Sequence, residues 1–213
     1  MNLLNNILPS LLDGSKITLL VFFITLLFSI PLSIMLAAVQ NLNNRVINKI
    51  LWVYIYIERG TPLLLQLMFI YFGLPFLGIT LSRMMAIYVA FVLNYTAYFI
   101  EIFRSGIKAI DEGQFKACKV LGFSYSFMYW HIIIPQCLHN CLPSITNEVL
   151  NLIKDTSLIS VLGAQEVLKA GRNAVNVYAS AIPFIYVAII YLIMTFVVTN
   201  VMNYIESRFN YYD

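Results

Sequence analysis

The sequence predicts an all-α integral membrane protein with about five transmembrane helices. Of its 213 residues, 61% are hydrophobic and only 11% are charged, whereas soluble domains carry about 25% charged residues. A soluble fold of this length leaves too much surface exposed to hide so many apolar side chains. Several apolar stretches are also long enough to cross a bilayer, which needs about 20 residues. We therefore expect membrane lipid to solvate the exterior.

The first two predicted spans are residues 17–40 and 62–77. The first carries no charge over its whole length, and the stretch before it has no basic signal region, so we expect it to be retained. Residues 50–57 are apolar but too short to cross a bilayer. Pro62 suits the first position of a new helix, so the second span is predicted to begin there.

Three further spans are predicted at residues 84–103, 136–153 and 182–205. Between the first two of these, residues 104–134 carry charges at helical spacings and form the largest polar connection. We predict a solvated helical loop there. Residues 154–182 are predicted to form an outer segment of turns and short helices. The whole chain is thus expected to be a single transmembrane domain.

Lysine and arginine predict the orientation, because the cytoplasmic loops of membrane proteins are richer in them. With the N-terminus outside, the inner loops and tail hold eight basic residues: Arg45, Lys49, Arg59, Arg104, Lys108, Lys116, Lys119 and Arg208. The outer segments hold five: Lys16, Arg83, Lys154, Lys169 and Arg172. This excess predicts an outer N-terminus and a cytoplasmic C-terminus. The net charge of +3 is too small to indicate nucleic-acid binding.

A polar stripe distinguishes the fourth span from the others. Its members are Asn140, Ser144, Asn147, Glu148, Asn151 and Asp155. At about 100° per residue they fall within a sector about 100° wide, and acids buried in a membrane normally face protein or a water-filled cavity. Two interpretations stay open. In the first, a substrate pathway is lined by Asn147, Glu148, Asn151 and Asp155, and the carboxylates meet an ammonium or side-chain cation. In the second, the two acids only cap helices and satisfy buried polar groups.

Two charged pairs lie near the ends of spans. Glu58 and Arg59 are adjacent, and they form either an interfacial pair solvated by lipid headgroups or the support of the Gly-Thr-Pro turn that follows. Glu101 and Arg104 are one helical turn apart and are predicted to pair near the inner surface.

No set of residues indicates a metal or a catalytic site. Cys137 and Cys141 flank His139, but these residues and Cys118 lack the spacing of a metal site and are interpreted as packing residues. The sequence has no His-Glu-x-x-His, no Gly-x-Ser-x-Gly and no phosphate-binding Gly-x-x-x-x-Gly-Lys-Ser/Thr motif. We therefore expect neither an enzyme nor a chain that binds a cofactor of its own.

The predicted cytoplasmic loop carries a motif that resembles the "EAA" loop of ABC importer permeases. The family pattern is Glu-Ala-Ala, three residues, Gly, nine residues, Ile, one residue, Leu and Pro. Ala117, Gly122, Ile132 and Pro135 fall at the matching positions. Ile134 stands for the Leu, Cys118 for the second Ala and Lys116 for the Glu. The lysine reverses a charge, which puts in doubt any salt bridge that the family makes there.

The loop also suits a docking role on physical grounds. The small residue Ala117 lets a partner approach closely, Gly122 can end a helix in the left-handed conformation, and Ser124 can cap the next helix. The alternative is an ordinary amphipathic helix between two spans. The resemblance implies ATPase-coupling residues in this loop: Glu112, Gly113, Gln114, Ala117, Gly122 and Ser124.

Other segments resemble the polar amino-acid permeases, which transport histidine, arginine, glutamine and cystine. The matching residues are Arg59-Gly60-Thr61-Pro62-Leu63, then Asn94, Ala97, Tyr98, Glu101 and Arg104, then Lys154-Asp155-Thr156-Ser157-Leu158. The segment around Glu148 and Asp155 looks like pathway-lining sequence in the same group. The resemblance covers about residues 17–208.

This resemblance implies the type I ABC importer permease fold in a bacterial cytoplasmic (inner) membrane. It also implies four kinds of partner: a second permease subunit, identical or paralogous, cytoplasmic ABC ATPases that hold ATP and Mg²⁺, an extracytoplasmic amino-acid-binding protein, and the amino acid itself. The alternative is a secondary transporter or channel for small polar solutes. Such a protein usually carries its own coupling site within inverted repeats, and no inverted halves are visible in this chain.

Overall fold

The computed structural model describes residues 2–40 and 44–209, and these ranges are almost entirely helical. Within them, nine α-helices follow in order: α1 (Asn2–Gln40), α2 (Arg45–Gly60), α3 (Leu63–Met68), α4 (Arg83–Lys108), α5 (Glu112–Val120), α6 (Tyr125–Met128), α7 (Ile134–Asp155), α8 (Val167–Tyr178) and α9 (Ile182–Phe209). Two π-helical turns, Phe69–Gly73 and Tyr129–Ile133, and two 3-10 turns, Leu74–Leu77 and Thr156–Leu162, extend or join them.

Helix α4 is the centre of the bundle. It packs against α1, α2, α3 and α7, while α8 and α9 complete the other side of the bundle around α1 and α7. Helix α4 is far more buried than α1 or α9. Since their exposed side chains are largely apolar, α1 and α9 offer the surface that lipid would solvate.

The contact between α4 and α7 is unusually close. A Cβ added at Gly106 of α4 would collide with the Cys141 sulfur of α7, so only glycine fits there. The thiols of Cys137 and Cys141 donate to the carbonyls of Phe103 and Ile102, at 3.4 and 3.2 Å. The two cysteines therefore fix α7 against α4, as the packing interpretation expects.

The spans agree with the sequence prediction in part. By length and hydropathy, α1, α4 and α9 can each cross a membrane, and they contain the first, third and fifth predicted spans. The second differs: the helical run of residues 63–77 follows α2 at a bend of 103°, and only the two together pass the same test. Helix α7, the fourth predicted span, is 22 residues long. Because of its polar stripe, it is less apolar than the three helices that can each cross a membrane.

Two helix boundaries differ from the sequence prediction. Residues 50–57 belong to the 16-residue helix α2, which begins where the Asn44 side chain accepts hydrogen bonds from the Val46 and Ile47 amides. The predicted loop at 104–134 is also shorter, because the chain is continuously helical from residue 125 into α7. Polar or basic residues interrupt the apolar sequence in both places, so neither helix could be traced to its start by hydropathy.

The predicted orientation can be tested by labelling single cysteines in the full complex. We expect cysteines replacing Asn44 and Tyr125 to react only from the cytoplasm and one replacing Asn173 only from outside. All three side chains are exposed, Asn44 and Tyr125 at the starts of helices and Asn173 within α8 of the predicted outer segment. The native cysteines are first changed to serine, whose hydroxyl can keep the bonds to the α4 carbonyls. Labelling of position 125 from outside would reverse the orientation.

Candidate functional site

The polar stripe of α7 lies beside the face that packs into the core. The core face consists of Ile134, Cys137, Cys141, Ile145, Val149, Leu152 and Ile153, all of them buried. On the stripe, Asn147 and Asn151 are exposed in the single chain, while Glu148 and Asp155 are half-buried. The stripe thus lies at the edge of this subunit's core, with Asn147 and Asn151 facing outward.

A cavity of about 570 Å³ lies between α4 and α7, and we call it the charged cavity. Its lining includes Arg59, Tyr98, Glu101, Arg104, Asn140, Ser144, Asn147 and Glu148. Two of the four predicted pathway residues, Asn147 and Glu148, thus line it. Asn151 and Asp155 do not: the Asp155 carboxylate instead accepts a hydrogen bond from the hydroxyl of buried Tyr95, at 2.7 Å.

The charges of this cavity are paired unequally. Glu101 accepts two hydrogen bonds from Arg104, at 3.0 Å to Nε and 2.5 Å to Nη2, which confirms the predicted pair. Arg59 is only 3.7 Å from the same carboxylate, with its guanidinium carbon 5.1 Å from the centre of the Tyr98 ring. Because Glu101 is already held by a bidentate partner, Arg59 keeps donors for another anion.

The position of Arg59 in the charged cavity was not predicted from the sequence. Arg59 does not pair with its neighbour Glu58: the structure places Glu58 against α4 and turns Arg59 into the charged cavity. The usable signal was an arginine directly before a Gly-Thr-Pro break in an otherwise apolar run, since broken helices in transporters mark ligand sites.

A second, wider cavity of about 930 Å³ adjoins the charged cavity. It shares the lining residues Arg59, Tyr98, Glu101 and Arg104 and extends to Gln40, Asn48, Trp52, Tyr56 and Lys108. Gln40 and Lys108 end α1 and α4, at the predicted cytoplasmic side. The stacked rings of Trp52 and Tyr56, 5.3 Å apart, form one wall. Both cavities are therefore lined by the half of α4 that ends at the predicted cytoplasmic side.

The candidate coupling loop projects from the end of α4. Asp111 caps α5 by accepting from the Gly113 amide at 2.6 Å, and Lys116 pairs with Glu112 within the helix at 3.2 Å. The lysine that replaces the motif glutamate thus has a partner inside α5. Ala117 is exposed, as are Glu112, Gly113 and Gln114, whereas Cys118 is buried toward the bundle.

The end of α5 has the local geometry that its sequence predicts. Gly122 adopts a φ of 72°, the left-handed conformation that glycine tolerates best, and the Ser124 hydroxyl accepts from the Phe127 amide at 3.3 Å. Val120 and Leu121 are 88% and 67% exposed, which is a large apolar exposure for a predicted cytoplasmic surface. Such a patch is typical of a protein interface.

Within residues 2–40 and 44–209 the structure groups no three His, Cys, Asp or Glu side chains that could hold a metal ion. The candidate site offers fixed charges in the charged cavity and a loop with an exposed apolar surface.

Comparison with known proteins places these features in one family. Residues 29–211 match the family described as the binding-protein-dependent transport system inner membrane component. The permease GlnP of Rickettsia bellii, named for glutamine transport, is 36% identical over 200 residues, covering 93% of this chain and 92% of its own. The arginine transport system permease protein ArtQ of Bacillus subtilis is 34% identical, covering 94% and 93%.

Solved structures agree with the sequence relatives. The crystal structure of an amino acid ABC transporter with histidines has a TM-score of 0.84 and 31% identity, covering 94% of each chain. An inward-facing MetNI methionine ABC transporter has a TM-score of 0.74 at 15% identity, covering 95% of each, which supports the fold alone. The chain therefore belongs to the family of inner-membrane components of binding-protein-dependent transport systems, as the permease subunit of an amino-acid ABC importer, a pore subunit that leaves ATP hydrolysis to a separate ATPase.

Proposed function

We propose that this permease carries a polar amino acid, of the basic, glutamine or cystine type, across a bacterial cytoplasmic membrane. It works with a second permease subunit, identical or paralogous, and with ATPases that dock at the loop around Gly122. An extracytoplasmic binding protein delivers the amino acid to the outer side. Membership of the ABC importer family sets aside the alternative of a secondary transporter or channel.

The observation that carries this proposal is the pair of opposite charges in the charged cavity. A free amino acid is a zwitterion, with a carboxylate and an ammonium a few ångströms apart. Arg59 has unused donors for the carboxylate, and Glu148 lies in the lining of the same cavity. Amide and hydroxyl groups of Asn140, Ser144 and Asn147 line the wall beside Glu148 and suit a polar side chain. A purely cationic or anionic solute would leave one of the two charges unmatched.

The substrate class can be tested by uptake into vesicles that contain the full complex with its own binding protein. Labelled glutamine, arginine, histidine and cystine are the first substrates, and the remaining amino acids serve as competitors. Import of none of them, with import of a different class of solute, would contradict the proposal.

Arg59→Gln is expected to weaken binding of the transported amino acid to the assembled complex by about tenfold. The reason is the loss of a hydrogen bond between charged groups. Affinity for the α-carboxamide analogue of the same amino acid should stay unchanged, because it has no carboxylate for Arg59. Arg45→Gln is the matched control, since Arg45 is exposed at the start of α2 and outside both cavities. Equal losses for the amino acid and its amide would remove Arg59 from the carboxylate role.

A further inference from the structure

The break between α2 and α3 leaves a backbone carbonyl without its helical partner. In a continuous helix the Glu58 carbonyl would accept from the amide of residue 62, but residue 62 is proline and has no N–H. The break lies at the start of the second predicted span and is partly buried, where an unpaired carbonyl is unfavourable. Some other donor must therefore satisfy Glu58, or the bend would not be stable.

Two side-chain amides supply those donors. Gln66 Nε2 donates to the Glu58 carbonyl at 2.8 Å, and Asn94 Nδ2 of α4 donates to the same oxygen at 3.0 Å. Asn94 Nδ2 also donates to Gln66 Oε1 at 2.9 Å, which closes a triangle. Gln66 reaches the Thr61 hydroxyl at 2.8 Å as well. We call these side chains of Gln66 and Asn94, with the Glu58 carbonyl that they hold, the amide clamp.

The amide clamp also determines where Arg59 lies. Arg59 directly follows Glu58, whose carbonyl is hydrogen-bonded to Asn94 of α4. Tyr98 and Glu101, the two residues that Arg59 contacts, come four and seven positions after Asn94 and therefore share its face of α4. One face of α4 thus holds the bend through Asn94 and contacts the Arg59 guanidinium through Tyr98 and Glu101.

We propose that Gln66 and Asn94 are positioning residues for substrate recognition, which act by holding Arg59 in the charged cavity. This inference rests on the proposed function, because it assigns the Arg59 guanidinium to the carboxylate of the amino acid. Neither amide lines the charged cavity, and Asn94 is only 4% exposed, so both act through Arg59. Their loss lets the bend relax and moves the guanidinium away from its place over Tyr98.

Two near-isosteric variants test this inference in the assembled complex. Asn94→Leu and Gln66→Met each remove the amide and keep most of the side-chain volume. Binding of L-arginine and L-glutamine to the complex of permease and ATPase, without the binding protein, is compared with binding of L-argininamide and L-glutaminamide, which lack the carboxylate. We expect each variant to weaken amino-acid binding about tenfold, as the loss of a charged hydrogen bond does, and to leave binding of the amides unchanged.

Asn200→Leu is the matched control. It makes the same chemical change on α9, where the amide donates to the Phe196 carbonyl of its own helix at 2.8 Å. We expect this variant to bind the amino acids and their amides as wild type does. If Asn94→Leu or Gln66→Met prevents assembly, Thr61→Val removes one contact of Gln66 and should weaken amino-acid binding about threefold.

The outcomes separate the amide clamp from the proposed function. A wild-type complex that prefers neither amino acid over its amide contradicts the proposed function and this inference with it. A wild-type preference that survives in both clamp variants overturns the positioning role alone. Equal weakening of amino acid and amide, together with a lower melting temperature, would make the two amides purely structural and also overturn it.

Discussion

Gly122→Asp is expected to uncouple ATP hydrolysis from import while the permease still folds and inserts. Gly122 has a φ of 72°, and a Cβ placed on it would meet no atom of this chain within 4 Å. The fold itself therefore has room for the side chain. In the proposed complex the ATPase occupies that space, next to exposed Ala117 and Leu121, so a charged side chain should block close docking.

The chain offers a matched control at its other predicted side. Gly78 has a φ of 81°, and a Cβ there would also meet nothing within 4 Å. Gly78→Asp thus carries the same backbone strain, at the end of the helical run that follows the bend and away from α5. We expect Gly122→Asp to lower import at least about tenfold, equivalent to about 1.4 kcal/mol of lost coupling, and Gly78→Asp to import normally.

The measurement compares import, ATPase activity and subunit stoichiometry in vesicles that contain each variant. Import at the wild-type rate by Gly122→Asp, with ATPase activity still stimulated by the binding protein, would exclude this loop as the docking site. Loss of the permease from the membrane in both glycine variants would instead show that strain at a left-handed position is too costly in this fold.

The coupling loop was well predicted from sequence because its determinants are local. A helix end at Gly122 and a cap at Ser124 depend on residues within one turn of each other, and both adopt the predicted geometry. The pairing of Glu101 with Arg104 is local in the same way. The docking itself stays a prediction, since it depends on a surface outside this chain.

The new helix at Pro62 was predicted, since α3 begins directly after that residue, but the angle of the bend was not, because its stabilising groups are distant in sequence. Hydropathy shows an apolar run interrupted by charges, which suggested a stretch too short to span. The structure continues that stretch as α2 and turns the chain by 103°, held by Asn94 from a helix that starts more than twenty residues later. The position of Arg59 in the charged cavity likewise depends on how α2 packs against α4, so it was missed as well.

The polar stripe of α7 was predicted as a face, but its members separate in three dimensions. Asn147 and Glu148 line the charged cavity, whereas Asp155 lies two turns further along and binds Tyr95. Periodicity places residues on one side of a helix but says nothing of which neighbouring helix covers each turn. The pathway interpretation therefore suits Glu148, which lines the charged cavity, and the structural interpretation suits Asp155, which binds Tyr95.

Glu148→Gln is expected to lower the apparent affinity for a basic or zwitterionic amino acid by about 10- to 100-fold. The variant keeps the shape of the side chain and removes the charge that a substrate ammonium or guanidinium would meet in the charged cavity, a loss of about 1.5–3 kcal/mol. Uptake kinetics in the reconstituted complex provide the measurement. Wild-type kinetics for arginine and glutamine would leave Glu148 as a structural group.

Asp155→Asn separates charge from hydrogen bonding at the other carboxylate. Its amide oxygen can still accept from the Tyr95 hydroxyl, so the fold should persist while the negative charge is lost. Tyr95→Phe makes the opposite change, because it removes the hydrogen bond and leaves the charge. Because Asp155 is held by Tyr95 outside the charged cavity, we expect Asp155→Asn to leave the Michaelis constant near wild type and Tyr95→Phe to lower the melting temperature. A Michaelis constant raised about tenfold in Asp155→Asn, with no change in Tyr95→Phe, would contradict this structural role and place the carboxylate in the substrate pathway.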